Sequence, residues 1–138
     1  MMKHLQQIAQ NMGMIIECGP VGNKNSEIAI IIESPNESDI KLGIPLSSSN
    51  GSMLFKCLEK YNIYRKDVYI TCAIKRKIPV IADKFRLDGT ELLNWRTILE
   101  MELKELPNLK YILCLGKNGL QLFTNEKSID NRRFKRYW

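Results

Sequence analysis

The segment that decides the fold is Glu27–Leu58, EIAIIIESPNESDIKLGIPLSSSNGSMLFKCL. It begins with a continuous apolar run, Ile28–Ile32, which is short and rich in β-branched residues and therefore indicates a buried strand. Because Pro35 lacks a backbone N–H and favours extended backbone before it, we expect the strand to end at Glu33. A carboxylate then stands at the carboxyl end of a buried strand, where ligands bind in open α/β sheets.

The second half of this segment is predicted to bring a helix back to the same strand end. Residues 36–50 form a long polar stretch that contains Gly43 and Pro45, and it is predicted to be a loop. An amphipathic helix is expected from Gly51, with apolar positions at Met53, Leu54, Cys57 and Leu58. Helix N-termini attract phosphate, so the loop and the helix start are candidates for an anion-binding surface.

Strands and helices are predicted to alternate along the rest of the chain. The patterns favour helices over 3–12, 51–62, 90–106 and 118–123, and strands over 14–17, 68–72 and 111–115. Residues 19–26 are a turn-rich connector, and residues 73–89 form a long connection with several basic residues. Trp95 is expected to pack inside the protein. This alternation implies a mostly parallel sheet with right-handed crossovers.

Composition places the chain among soluble globular proteins. Its 138 residues are enough for one domain with a real core, and 44% hydrophobic and 26% charged residues are ordinary values. No apolar run approaches the roughly 20 residues that span a bilayer. The first ten residues, MMKHLQQIAQ, do not resemble a signal peptide, so we expect an intracellular, cytoplasmic protein with no membrane partner.

The formal charge of +6 is concentrated in the second half. Residues 1–50 carry three lysines and five acidic residues, whereas residues 51–138 carry eighteen basic and ten acidic residues, which gives −2 and +8. A basic half favours a polyanion partner, most simply nucleic acid, although a solvated basic surface without a specific partner fits the charge equally well.

The four cysteines are far apart in the sequence. Cys18, Cys57, Cys72 and Cys114 form no C-x-x-C pair, which argues against a metal site and against a disulfide framework. Buried free thiols are the expected state.

Several short motifs occur in an order that resembles a known family. They are Glu33, Pro35, Glu37, Asp39, Gly43, Pro45, Gly51 and Leu54, followed by DVYIT at 67–71 and Leu-Gly at 115–116. This order resembles the iron-sulfur type of bacterial and archaeal uracil-DNA glycosylases, a branch of the uracil-DNA glycosylase superfamily. The resemblance implies one domain over residues 1–138, with a three-layer αβα fold around a mostly parallel sheet.

The chain departs from that family in two respects. Those enzymes hold a four-iron cluster with four cysteines, but the paired N-terminal cysteines are missing here, and Arg76 and Trp95 occupy the other two ligand places. We therefore expect no metal and no cofactor. The final segment, SIDNRRFKRYW, resembles the part that precedes the family's last strand and its histidine loop, and the chain ends before that loop. His4 is the only histidine, and we expect it on the surface.

The resemblance also implies a set of site residues. Glu33 is the expected catalytic carboxylate, because base excision builds positive charge on the sugar that a carboxylate stabilises. The base pocket would comprise Ser34, Pro35, Asn36, Leu46 and Cys72. Leu46 replaces an aromatic residue that stacks on the base, and Cys72 replaces an asparagine that binds the base edge, for which a thiol is a poor substitute. DNA contacts are expected at Ser49, Gly51, Lys75, Arg76, Lys77, Lys117, Arg132, Arg133, Lys135 and Arg136.

Two functions remain open at this point. The first is a divergent DNA N-glycosylase that excises uracil or another base through Glu33, with Asp39 as an alternative acid. The second is a catalytically inactive glycosylase fold that binds DNA or a replication-associated protein. The retained Glu33 favours the enzyme, and the altered pocket favours the binder. DNA is the expected partner, with replication or repair proteins as further candidates for a monomeric protein. The composition would suit a phage protein in the host cytoplasm.

Overall fold

A computed structural model of the chain describes residues 2–78, 80–81, 84–85 and 89–116. Its helices are α1 (Met2–Asn11), α2 (Glu37–Leu42), α3 (Ser49–Glu59) and α4 (Gly89–Lys104), with a 3-10 turn at Arg65–Asp67. Its strands are β1 (Val21–Gly22), β2 (Ile28–Ile32), β3 (Tyr69–Cys72), β4 (Val80–Ile81), β5 (Lys84–Phe85) and β6 (Tyr111–Leu115).

The main sheet has the order β1-β3-β2-β6, with β2 inside it. β2 pairs in parallel with both β3 and β6, while β1 pairs antiparallel with β3. In this register Ile32 lies opposite Cys72 on one side and Leu115 on the other. The carboxyl ends of the three parallel strands therefore meet at one edge of the sheet, and Glu33 follows directly from the central strand.

The two faces of the sheet are covered by different helices. Ile30 and Ile32 belong to a buried cluster with Phe55 of α3, whereas Ala29 and Ile31 belong to a cluster with Leu99 and two further residues of the α4 region, Leu103 and Leu106. Successive residues of a strand point to opposite faces, so β2 is buried on both. The prediction of a three-layer αβα fold with a mostly parallel sheet is confirmed.

Helix α1 packs on α4 at the side of the sheet. Leu5 and Ala9 of α1 share a buried cluster with Trp95 and Ile98 of α4. Trp95 has no solvent exposure, which confirms that it is a packing residue. His4 is exposed, with Nε2 3.2 Å from the Glu105 carboxylate, which confirms its surface position.

Two local predictions were wrong, and the two predicted connections 19–26 and 73–89 contain short strands. Residues 36–50 are not one loop, because α2 forms within them: the Asn36 side chain accepts a hydrogen bond from Asp39 N, and the Asp39 side chain accepts one from Asn36 N. Residues 14–17 form no strand. The 73–89 connection contains a short antiparallel pair, β4 and β5. The helix predicted over 118–123 lies outside the described residues.

Among the described residues, no helix has the length and apolar character needed to cross a membrane.

Candidate active site

Glu33 lies at the edge where the three parallel strands end. It is half-buried, and its carbonyl oxygen accepts a hydrogen bond of 2.9 Å from the N–H of Ile74, just beyond β3. Its side chain lies against Gly116, which directly follows β6. A β-carbon at position 116 would lie 2.2 Å from Cγ and 2.6 Å from Cδ of Glu33. Gly116 also has φ +99°, so two independent constraints favour glycine there.

The segment after Glu33 leads directly into α2. Ser34 is half-buried, Pro35 is buried, and Asn36 is exposed with its side chain on the first turn of α2. Asp39 is almost fully buried, and its Oδ1 accepts hydrogen bonds from Ser47 N at 2.9 Å and Ser47 Oγ at 2.6 Å. Both Asp39 oxygens therefore hold the loop together, which gives this carboxylate a structural position and leaves Glu33 as the strand-end acid.

Leu46, which takes the place of the base-stacking aromatic residue, is held in an unusual conformation. Its φ is +56°, in the left-handed region that residues other than glycine rarely adopt. The side chain is buried in the cluster that contains Ile32 and Cys72. Arg65 donates to the Leu46 carbonyl at 2.6 Å and to the Pro45 carbonyl at 3.3 Å. Sequence reasoning missed Arg65, because its only signal was its place in a charged turn before β3.

The start of α3 is packed on the same peptide. A β-carbon at Gly51 would lie 2.0 Å from the Leu46 oxygen, so the first turn of the helix can approach this carbonyl only with glycine. Ser49 is exposed, and Gly51 is buried. Ser48, at the N-cap, makes no side-chain cap hydrogen bond. Gly51 therefore acts through close packing, and the exposed Ser49 lies at the phosphate-attracting end of the helix.

Cys72 is at the end of β3, below the predicted pocket, and is fully buried. The neighbouring Cys18 thiol and burial raise the pKa of Cys72 far above its usual value, so it remains a neutral thiol. A neutral thiol is a weak donor and a weak acceptor. Cys72 therefore holds a neutral thiol in the same buried cluster as Leu46.

Lys75 has no solvent exposure, and the prediction that it contacts DNA is wrong. Its Nζ lies 2.8 Å from Glu102 Oε1 and donates to the Cys72 carbonyl at 2.5 Å. The other Glu102 oxygen accepts a 2.5 Å hydrogen bond from the Tyr69 hydroxyl, and burial and this carboxylate raise the Tyr69 pKa. Lys75 therefore belongs to a buried ion pair that joins the chain after β3 to α4.

Arg76 and Trp95, the residues at the two aligned cluster-ligand places, meet on one carboxylate. The Arg76 guanidinium binds Glu91 through two hydrogen bonds of 2.7 and 2.8 Å, and the Trp95 indole N–H donates to Glu91 at 3.0 Å. The Arg76 hydrogen bond holds the pKa of Glu91 below its usual value, opposed by partial burial and supported by Trp95.

The cysteines do not fit a four-cysteine cluster. Cys72 pairs with Ile32 and Cys114 with Ile31, so their side chains point to opposite faces of the sheet. Cys57 is exposed on α3, which corrects the expectation that this thiol is buried. Across the part of the chain that the structure describes, no three His, Cys, Asp or Glu residues are grouped as metal ligands.

Of the remaining predicted DNA contacts, the structure describes Lys77. Lys77 is half exposed, with Nζ 2.5 Å from Glu37 on α2 and its backbone N–H bound to Glu17 at 2.9 Å. Five predicted contacts lie outside the described residues: Lys117, Arg132, Arg133, Lys135 and Arg136.

Fold and site together define a parallel α/β domain with an acidic residue at the end of its central strand. The family model of the uracil DNA glycosylase superfamily matches residues 20–137, and the chain belongs to this superfamily. The chain is also similar to a type-4 uracil-DNA glycosylase of Archaeoglobus fulgidus, with 30% identity over 106 residues. That alignment covers 76% of this chain and 51% of the relative, so the chain spans about half the length of the relative it matches.

Proposed function

We propose that this protein is a DNA N-glycosylase that excises uracil from DNA and leaves an abasic site. The observation that carries the proposal is the Glu33 carboxylate, which lies at the carboxyl end of the central strand and against the backbone of Gly116. Superfamily membership and the similarity to a type-4 uracil-DNA glycosylase support the same reaction.

In this reaction the bond between C1′ of the sugar and N1 of the base breaks, and the electron pair leaves with the base. Positive charge develops on the sugar, and the Glu33 carboxylate stabilises it and orients the water that adds at C1′. The base must first leave the stack and enter a pocket. We expect the base to bind among Ser34, Pro35, Asn36 and Leu46. Ser49 and Lys77 are exposed positions for the flanking phosphates.

A second candidate is a glycosylase fold that binds DNA without excising a base. The specific observation in its favour is the fully buried Cys72, whose raised pKa keeps it a neutral thiol. A site that binds a base edge normally supplies an amide or a similar polar group. A wrong base is then rejected because it leaves this buried polar group without a hydrogen-bond partner. A thiol in that place weakens base recognition, although it leaves DNA binding through phosphates intact.

The test is release of uracil from single- and double-stranded oligonucleotides by wild type, Glu33→Gln and Glu27→Gln, all prepared from a glycosylase-deficient host. Glu27 precedes the other end of β2 and pairs with Lys110 on the surface, so it is a matched control on the same strand. Loss of the Glu33 charge should lower the rate by roughly a hundredfold or more. Glu27→Gln should retain the wild-type rate.

Two results would contradict this assignment. Unchanged activity in Glu33→Gln would remove Glu33 from the chemistry. A wild type that releases no uracil but still binds DNA would favour the second candidate, and its affinity should then fall steeply with added salt as counterions are released.

A further inference from the structure

We infer that Arg65 is a positioning residue that fixes the Leu46 peptide, and through it the loop beside Glu33 and the start of α3. This inference rests on the proposed function, because the loop matters for catalysis only if a base and its flanking phosphate bind there.

The guanidinium of Arg65 reaches two consecutive carbonyls of the loop. It donates at 2.6 Å to Leu46 and at 3.3 Å to Pro45, and it lies 4.5 Å from the centre of the Phe55 ring on α3. A guanidinium offers several donors in a rigid plane and stacks flat on aromatic rings, whereas a lysine ammonium keeps the charge but lacks the planar fork. One side chain therefore ties the loop to the helix that follows it.

The loop needs such a restraint because Leu46 is in an unfavourable conformation. A residue other than glycine at φ +56° persists only when its surroundings hold it there. Gly51 also packs against the Leu46 carbonyl oxygen. A β-carbon at position 51 would lie only 2.0 Å from that oxygen. The position of this one carbonyl thus sets the direction of the Leu46 side chain and the place of the first turn of α3.

The guanidinium is not needed to close its own turn. Asp67 accepts a hydrogen bond from Tyr64 N at 3.2 Å and donates its backbone N–H to the Tyr64 carbonyl at 2.9 Å. These two bonds close the 3-10 turn before β3 without the Arg65 side chain. The side chain instead spans 19 residues of sequence to the loop.

The experiment compares Arg65→Gln and Arg65→Lys with Arg96→Gln. Arg96 is a matched control, because it is an arginine whose guanidinium pairs with Glu100 on the exposed side of α4. Amide hydrogen exchange over residues 44–52 should be about tenfold faster or more in Arg65→Gln, the scale of one lost charge-assisted hydrogen bond. Arg65→Lys should fall between Arg65→Gln and wild type, and Arg96→Gln should match wild type.

Kinetics separate positioning from a general loss of stability. Positioning predicts that kcat for uracil release falls by about tenfold or more in Arg65→Gln, with partial recovery in Arg65→Lys. A merely structural role predicts faster exchange throughout the sheet and an unchanged kcat per folded molecule.

Exchange over residues 44–52 that stays at the wild-type rate in Arg65→Gln would overturn the inference, and so would a sheet-wide increase with unchanged kcat. Locally faster exchange in Arg65→Gln, combined with a wild type that releases no uracil, would support the hold of Arg65 on the loop and overturn the proposed function instead.

Discussion

Replacing Lys75 by methionine tests whether this lysine serves the fold or the DNA surface. The Lys75 ammonium and the Glu102 carboxylate are 2.8 Å apart, and both side chains are fully buried. Methionine keeps much of the length of the side chain but removes the charge, and it leaves the Glu102 carboxylate buried opposite an apolar group.

The expected cost is about 3–5 kcal/mol of unfolding free energy, because removal of one partner leaves an uncompensated buried charge. The Cys72 carbonyl also loses its 2.5 Å hydrogen bond from the ammonium. Adding Glu102→Gln to Lys75→Met should recover part of this loss, since a neutral amide is cheaper to bury and still accepts from Tyr69.

Lys110→Met is the matched control. Lys110 and Glu27 are 3.0 Å apart, nearly the same separation, but their side chains are 63% and 56% exposed. An exposed ion pair of this kind contributes little to stability, because water and salt screen it. The two substitutions therefore differ in burial and hardly at all in geometry, and the difference between their effects measures what burial contributes.

Urea unfolding followed by circular dichroism measures the stabilities, and DNA affinity at several salt concentrations measures the phosphate contacts. Lys75→Met should leave the salt dependence unchanged. The reasoning is refuted if Lys75→Met costs no more than Lys110→Met, or if it reduces the salt slope by about one, as loss of a phosphate contact would.

Two further predictions concern Gly116 and Glu91. Gly116→Ala should displace the Glu33 side chain, whose Cγ lies 2.2 Å from the new methyl position, so the uracil-release rate should fall by about tenfold or more in a protein that remains folded by circular dichroism; an unchanged rate would contradict the placement of Glu33. The Arg76 hydrogen bond lowers the Glu91 pKa from 4.5, so the stability it provides is present above that value and is lost as pH falls through the lowered pKa. Tm measured from pH 6 down to pH 3 should therefore fall further in wild type than in Glu91→Gln, and parallel curves would contradict the pairing.

The sequence was most informative where burial leaves a simple pattern. The bounds of β2 and β6 match the predicted strands over 28–32 and 111–115. For β2 the physical reason is burial on both faces, which needs a continuous apolar run. The predicted helix over 90–106 corresponds to α4, with its end two residues earlier. In each case the residues that form the element also form the pattern.

Prediction failed where the partner of a residue lies far away in sequence. Asn36 and Asp39 are typical of both loops and helix caps, so composition alone did not separate α2 from a loop. The charge of Lys75 suggested a phosphate contact. Its actual partner, Glu102, is 27 residues later, and nothing in the sequence near Lys75 indicates this ion pair. Arg65 was missed for the same reason, since its two acceptors are about twenty residues earlier in the chain.

Relative to the uracil-DNA glycosylases that the sequence resembles, the candidate site keeps its strand-end carboxylate and differs at residues expected to touch the base. The close approaches at Gly116 and Gly51 constrain backbone and the position of a carboxylate, whereas the changes at Leu46 and Cys72 affect groups that would touch the base. A negative group near phosphates weakens DNA binding, so binding alone does not account for a half-buried carboxylate set against a glycine with φ +99°. A glycosylase with relaxed base recognition does need that carboxylate, because charge on the sugar develops whichever base departs. The arrangement around Glu33 therefore favours catalysis, and the altered pocket favours a change in which bases are accepted.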